Sequence, residues 1–323
     1  MLMNFAALLL GFIVLVYCAD RFVTGTAAIA RNFGVSPLII GLTIVGFGTS
    51  VPEMLVSGLA AWEGKTGLAV GNALGSNIAN IGLILGCSAL VAPITMHSGL
   101  LRRELPVLLG TSVVCYLLGL RGGLERVDGM LMLAMLALFV FWLIRSALQN
   151  RNSDVFGQEL EQEIPSNIST GRAVFWSVVG LAGLLGSSRL LVWAAVNIAE
   201  FFAVSDLIIG LTIIAVGTSL PELAASIASV LKKEEDLAIG NIIGSNMYNL
   251  LAVYSLPGLI APGPLEPGVV QRDFPVMLGF TAALFFMGYG FSRSGRINRL
   301  EGLGMVLAFG AYQLLVYRVA LSG

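Results

Sequence analysis

Gly48-Thr49-Ser50-Val51-Pro52-Glu53 returns later in the chain as Gly217-Thr218-Ser219-Leu220-Pro221-Glu222. The match runs outward in both directions without a gap. Upstream, Ser36-Pro-Leu-Ile-Ile-Gly-Leu-Thr-Ile44 is answered by Ser205-Asp-Leu-Ile-Ile-Gly-Leu-Thr-Ile213. Downstream, Gly71-Asn-Ala-Leu-Gly-Ser-Asn-Ile-Ala-Asn80 is answered by Gly240-Asn-Ile-Ile-Gly-Ser-Asn-Met-Tyr-Asn249. The chain therefore holds two copies of one unit, and each copy sets its most polar motif inside an apolar run.

Composition says what surrounds these units. Of 323 residues, 57% are hydrophobic and 11% charged, whereas a soluble domain carries charge on roughly a quarter of its residues. Lipid can provide the cover that polar side chains give a soluble protein. The net charge of -1 offers no surface for nucleic acid or for an acidic partner. Cys18, Cys87 and Cys115 lie in apolar runs without CxxC spacing, so they read as small buried residues, not as disulfides or metal ligands. His97, the only histidine, reads as a water-facing loop residue. The apolar run from Leu2 to Ala19 has no basic segment before it, which makes it a first span and not a cleaved signal.

A bilayer core of about 30 Å takes about 20 apolar residues per helix. Ten segments qualify: 3–19, 33–61, 68–92, 104–120, 128–147, 173–195, 205–231, 237–261, 274–291 and 301–319. The expected fold is all-α integral membrane, with ten transmembrane helices as two inverted five-helix repeats. Residues 1–148 form the first repeat and 173–323 the second, joined by an acidic linker over 149–172 that includes Gln158-Glu-Leu-Glu-Gln-Glu163. An odd number of spans per copy inserts the second copy upside down and places a binding site at the midplane between them. With both termini outside, twelve of the eighteen Lys and Arg residues fall on the cytoplasmic side, so the linker is expected in the cytoplasm.

The repeated motifs put ionisable groups where they are expensive. A carboxylate at the bilayer centre costs about 2.5–3.5 kcal/mol on insertion scales, and Glu53 and Glu222 occupy equivalent mid-span positions. Pro52 and Pro221 lack the N–H that Gly48 and Gly217 would accept from, so the helices should break there and turn carbonyl oxygens toward a polar cavity. Thr49 shares a helix face with Glu53, and Thr218 with Glu222. Ser76 with Asn80, and Ser245 with Asn249, add further oxygens at four-residue spacing. Asn77 and Asn246 point elsewhere and can hold the broken helices by hydrogen bonds. Gly71-xxx-Gly75 and Gly240-xxx-Gly244 let helix backbones approach closely. Two carboxylates with hydroxyl, amide and carbonyl oxygens, and no His or Cys, suit calcium, magnesium or alkali ions and not zinc or copper. Divalent and monovalent fillings would need the same glutamates and so exclude each other.

These duplicated motifs resemble the alpha-repeats of sodium/calcium exchangers, in the calcium:cation antiporter superfamily. The resemblance covers both motif-bearing helix pairs and implies a compact bacterial inner-membrane calcium/sodium antiporter. Such a protein is a carrier, not an enzyme, with no prosthetic group; its partners are calcium, sodium and membrane lipid. By resemblance, Glu53 and Glu222 coordinate calcium with the carbonyls of Thr49 and Thr218. Sodium sites draw on Ser50, Ser219, Ser76 and Ser245 with the carbonyls of Gly46 and Ala215, and Asn80 and Asn249 line the centre. The family's alternating access slides the first and sixth spans against the rest. Potassium-dependent relatives commonly carry aspartate where Asn249 stands, which speaks against potassium co-transport. Proton-coupled relatives carry Gly-Asn-Xaa-Xaa-Glu, whereas Gly75 and Gly244 stand at that fifth position here; a proton/calcium antiporter is the alternative reading.

Overall fold

The computed structural model describes residues 2–35, 37–64, 66–96, 101–150, 168–201, 215–266, 268–289 and 295–322. Most of the linker, His97 and the repeat block 205–213 lie outside the described residues.

Helix α1 covers Leu2–Phe33, about 48 Å at 1.5 Å per residue. That exceeds a bilayer core of about 30 Å and requires a tilt. The segment expected to end at residue 19 therefore continues past Asp20-Arg21. Two charged residues do not end a helix that crosses obliquely: Asp20 pairs with Lys232 at 2.6 Å, and the Arg21 guanidinium stacks on Tyr17 and Trp176.

The next span is broken. Helices α2 (Gly41–Thr49) and α3 (Val51–Trp62) meet at a 47° bend. The hinge residue Ser50 leaves helical geometry at φ -83°, ψ 2°, and Pro52 stands in the first turn of α3. This is the break expected from the missing proline N–H. Helix α4 (Thr66–Val91) is 72% buried along its apolar window. It runs through a π-helical turn at Asn80–Leu85. Helices α5 (Leu101–Gly119), α6 (Arg126–Asn150) and α7 (Thr170–Phe201) follow.

Past the undescribed segment the break recurs. Helix α8 (Ala215–Thr218) and helix α9 (Leu220–Leu231) are separated by Ser219 at φ -91°, ψ 7°, with proline again in the first turn. Helix α10 (Glu235–Tyr248) enters a π-helical turn at Asn249–Val253 and continues as α11 (Ser255–Ile260). Helices α12 (Phe274–Tyr289) and α13 (Arg299–Ser322) complete the described fold. Among the described residues, six helices and one bent pair are long and apolar enough to cross a membrane.

Two-residue ribbons tie distant loops. Strand β1 (Ile94–Thr95) pairs antiparallel with β4 (Arg296–Ile297), and β2 (Gly123–Leu124) pairs with β3 (Gly263–Pro264). Strands β1 and β3 are separated by the interval that separates Glu53 from Glu222. Charged span ends are capped: Asp128 accepts from Arg121 and from the Glu125 amide, and Glu301 accepts from the Asn298 amide.

Most of the core falls into two clusters, one larger and one smaller, with a minor third around Ala60, Ala61 and Ala69. The larger cluster packs Leu74, Ile78 and Ile81 of α4 against Ile239, Ile243 and Met247 of α10. The smaller one packs Phe22 and Val23 of α1 with Ala173 and Leu184 of α7 and Ala225 of α9. Helices α1 and α7 thus form a pair with an apolar seam of their own. Outward faces such as Leu9, Phe12 and Ile13 of α1, or Leu138 and Phe141 of α6, are exposed and fit a lipid environment. At Gly244 a Cβ would lie 2.5 Å from the Leu42 carbonyl oxygen, so the glycine-rich pair of the second copy does bring backbones together. At Gly71 and Gly75 no described atom lies that close.

Candidate functional site

The two hinges converge at the centre of the bundle. Glu53 and Glu222, each in the first turn of its half-helix, are 0% and 1% exposed. Each faces the other copy: Thr218 and Ser219 stand against the Glu53 carboxyl, and Thr49 and Ser50 against that of Glu222. Ser219 Oγ donates to Glu53 Oε1 at 3.4 Å. The carboxylates also lie within electrostatic reach of one another. Among the described residues, neither makes an ion pair with a basic side chain.

The remaining candidates enclose the same point. Thr49, Ser50, Ser76, Asn80, Ser219, Ser245 and Asn249 are buried, and Thr218 nearly so. Thr49 Oγ1 donates to Val45 O at 3.0 Å and to Asn241 Oδ1 at 3.1 Å, and lies 3.4 Å from Ser245 Oγ. Ser245 Oγ donates to Gly46 O at 3.4 Å. Asn80 Nδ2 donates to Asn246 Oδ1 at 2.9 Å, joining α4 to α10. Asn77 turns away to the sulfur of Met277 on α12. Both neighbouring asparagines thus serve as ties between helices. Ala215 opens α8, and its side chain lies outside the described residues.

Among the described residues, several of these buried groups have no hydrogen-bond partner: Glu53 Oε2, both oxygens of Glu222, Ser50 Oγ, Asn80 Oδ1, and both polar atoms of Asn249. An unsatisfied buried polar atom costs about 1–3 kcal/mol, more when charged. A concentration of them at one point is unfavourable unless something else takes up their lone pairs. Apart from the Asn249 amide nitrogen these atoms are all oxygen and include two carboxylates, a set that matches a hard cation.

Asn72 and Asn241 stand within the repeated motifs, and their role emerges only in the fold. Asn72 Nδ2 donates to Glu53 O at 3.1 Å and to Ser57 Oγ at 2.9 Å; Asn241 Nδ2 donates to Glu222 O at 3.4 Å and to Ser226 Oγ at 2.9 Å. These identical brackets fix each half-helix to the span that follows it. The available signal was the duplication of Asn72 and Ser57 as Asn241 and Ser226.

Opposed half-helices that bring paired carboxylates and unsatisfied oxygens to the centre of an apolar bundle define a membrane carrier for cations. The sequence pattern of the family described as "Sodium/calcium exchanger protein" matches residues 3–145 and 172–318, and the chain belongs to that family. It is 48% identical to CaxA of Alkalimonas amylolytica over 96% of this chain and 97% of that protein. It is 43% identical to the inner membrane protein YrbG of Escherichia coli over 96% of this chain and 95% of that one. Among solved structures, the sodium-calcium exchanger NCX_Mj superposes with a TM-score of 0.83 at 30% identity, covering 96% of this chain and 97% of that one.

Proposed function

We propose that the protein is a secondary antiporter that exchanges calcium for sodium by alternating access to the site between Glu53 and Glu222. The observation that carries this reading is the facing of two buried carboxylates across the repeat boundary, with no basic partner among the described residues and amid oxygens unsatisfied there. Two carboxylates balance one calcium ion, and the same oxygens divided among smaller cages balance sodium ions. The two fillings cannot coexist, which is the coupling an exchanger needs. Glu53 and Glu222 would hold calcium with the Thr49 and Thr218 carbonyls. Ser50, Ser219, Ser76 and Ser245 with the Gly46 and Ala215 carbonyls would hold sodium, and Asn80 and Asn249 would line the centre. The family membership and the likeness to NCX_Mj support this reading.

The proposed architecture is ten spans in two inverted repeats, 1–148 and 173–323, with the 149–172 linker cytoplasmic and both termini outside. Strands β1 and β3 and the asparagine brackets, which recur at the repeat interval, support it. The expected location is the inner membrane. The decisive experiment loads proteoliposomes with sodium and measures radiolabelled calcium uptake on dilution into sodium-free buffer. Uptake that follows the sodium gradient is expected. Uptake that ignores sodium and follows a pH gradient would replace sodium with protons as the coupling ion.

A further inference from the structure

We infer that two ionic clasps, Asp20–Lys232 on one side of the central site and Arg189–Glu63 on the other, position the α1/α7 pair and close in alternation. This inference rests on the alternating-access reading above.

The argument starts from the repeat, which extends beyond the motif blocks. At the Glu53–Glu222 interval, α1 aligns with α7 without a gap: Gly11 with Gly180, Leu15 with Leu184, Val23 with Val192, Ile29 with Ile198. The packing follows the same correspondence. A Cβ on Gly11 would lie 2.9 Å from Leu191, and one on Gly180 would lie 2.8 Å from Phe22 Cβ. Phe22 and Leu191 are themselves counterparts, so the two helices cross about a local two-fold axis.

On this alignment Asp20 corresponds to Arg189. Lys232, which follows α9, corresponds to Glu63, which follows α3. Both charges of the pair are reversed, so attraction is kept while polarity is exchanged. By sequence the neighbouring pair behaves alike, with Arg31 and Glu234 answered by Glu200 and Lys65. A positive-inside bias exchanges one sign between the two faces; it does not exchange both members of a pair and preserve their complementarity. Selection for an ion pair at each face does.

The two faces differ in the structure. On one, Asp20 and Lys232 are joined at 2.6 Å and α1 packs against α9 through the seam that includes Phe22 and Ala225. On the other, Arg189 makes no ion pair among the described residues. It lines a cavity of about 260 Å³ between α7 and α3, with Leu185, Leu55 and Pro52. Pro52 precedes Glu53 in the first turn of α3, so the cavity borders the half-helix that carries a central carboxylate. One clasp is shut where the helices are packed, and the member of the other on α7 faces a gap. Sliding α1 and α7 together would part Asp20 from Lys232 and carry Arg189 toward Glu63. The Asp20 and Lys232 side chains are 49% and 31% exposed, and pairs this exposed bias an equilibrium without locking it.

The test uses a background with Cys18, Cys87 and Cys115 replaced. A reporter, Leu55→Cys, is labelled by a membrane-impermeant maleimide. Cross-linking Asp20→Cys with Lys232→Cys should leave reporter labelling at least as fast as without cross-link. Cross-linking Glu63→Cys with Arg189→Cys should slow it about tenfold. Reduction should reverse both effects, which shows that the variants are folded. In exchange assays, Arg189→Glu and Asp20→Lys should each lower turnover about fivefold. Glu63→Arg with Arg189→Glu, and Asp20→Lys with Lys232→Asp, should recover to within twofold of wild type. Failure of the Glu63/Arg189 cross-link to form, reporter labelling unchanged by it, or double reversals no better than the singles would overturn the clasp. Labelling needs no ion movement, so a protein without sodium-driven calcium uptake would sink the proposed function and leave this test standing.

Discussion

Ser219 of the second copy donates its hydroxyl proton to Glu53 of the first, at 3.4 Å across the repeat boundary. Each carboxylate is thus surrounded by the hinge of the opposite copy, and neither copy alone assembles the candidate site. Glu53→Gln and Glu222→Gln should each lower sodium-driven calcium uptake at least a hundredfold. Folding should survive, because an amide at these buried positions no longer carries a charge through the apolar bundle. Vesicle uptake and thermal unfolding in detergent measure the two halves of this prediction. Ordinary exchange by either variant would place the ion elsewhere.

The asparagine brackets predict a graded effect. Asn72→Ala removes bonds to the Glu53 carbonyl and to Ser57; Asn241→Ala removes the corresponding pair and also the acceptor for Thr49. Thr49 keeps Val45 O and Ser57 keeps Ala69 O as acceptors, so each lost bond costs about 0.5–1.5 kcal/mol. Both variants should raise the calcium concentration for half-maximal exchange, Asn241→Ala by roughly tenfold more because the bond it loses spans the two copies. Equal and small effects from both would mean that the brackets do not position the glutamates.

What could be read from the sequence follows from where its signals are local. Pro52 and Pro221 announce the hinges because a missing N–H acts within one turn, and the bends fall at Ser50 and Ser219 as that chemistry requires. Burial of Glu53 and Glu222 was legible because two costly carboxylates recur at one repeat interval. The π-helical turns at Asn80 and Asn249 were not, since an extra residue in a helical turn leaves no hydropathy signature. Helix α1 is longer than its hydropathy indicates because Asp20 and Arg21 satisfy their charges through Lys232 and Trp176, both distant in sequence, with Tyr17 one turn back adding to the Arg21 stack. The β ribbons join loops about two hundred and about a hundred and forty residues apart, and two-residue strands have no pattern to detect.

Gly244 offers a stability test apart from transport. A methyl there would approach the Leu42 carbonyl oxygen to 2.5 Å, and backbone cannot yield as a flexible side chain does. Gly244→Ala should destabilise the protein by about 1–3 kcal/mol through overpacking, with a lower melting temperature in detergent. A melting temperature equal to wild type would show that α2 and α10 can separate without penalty.

Glu234, in the turn between α9 and α10, supplies a pH signature. Burial and the neighbouring Asp236 push its carboxyl up to about 7, against the opposing pull of Arg31 and Lys232. A raised carboxyl binds its proton more tightly in the folded state than in the unfolded one. Its favourable contribution is therefore complete below the ordinary carboxylate range, is lost as pH rises toward about 7, and changes little beyond. A shift of that size from 4.5 corresponds to at most about 3 kcal/mol. Wild type should accordingly melt at a higher temperature at pH 5 than at pH 8, other groups being equal. Glu234→Gln should flatten that difference and melt above wild type at pH 8, because the amide has no charge to desolvate. If the two proteins kept parallel profiles across this range, ionisation of Glu234 would not be coupled to folding, and the turn would have to be more hydrated than its 4% exposure indicates.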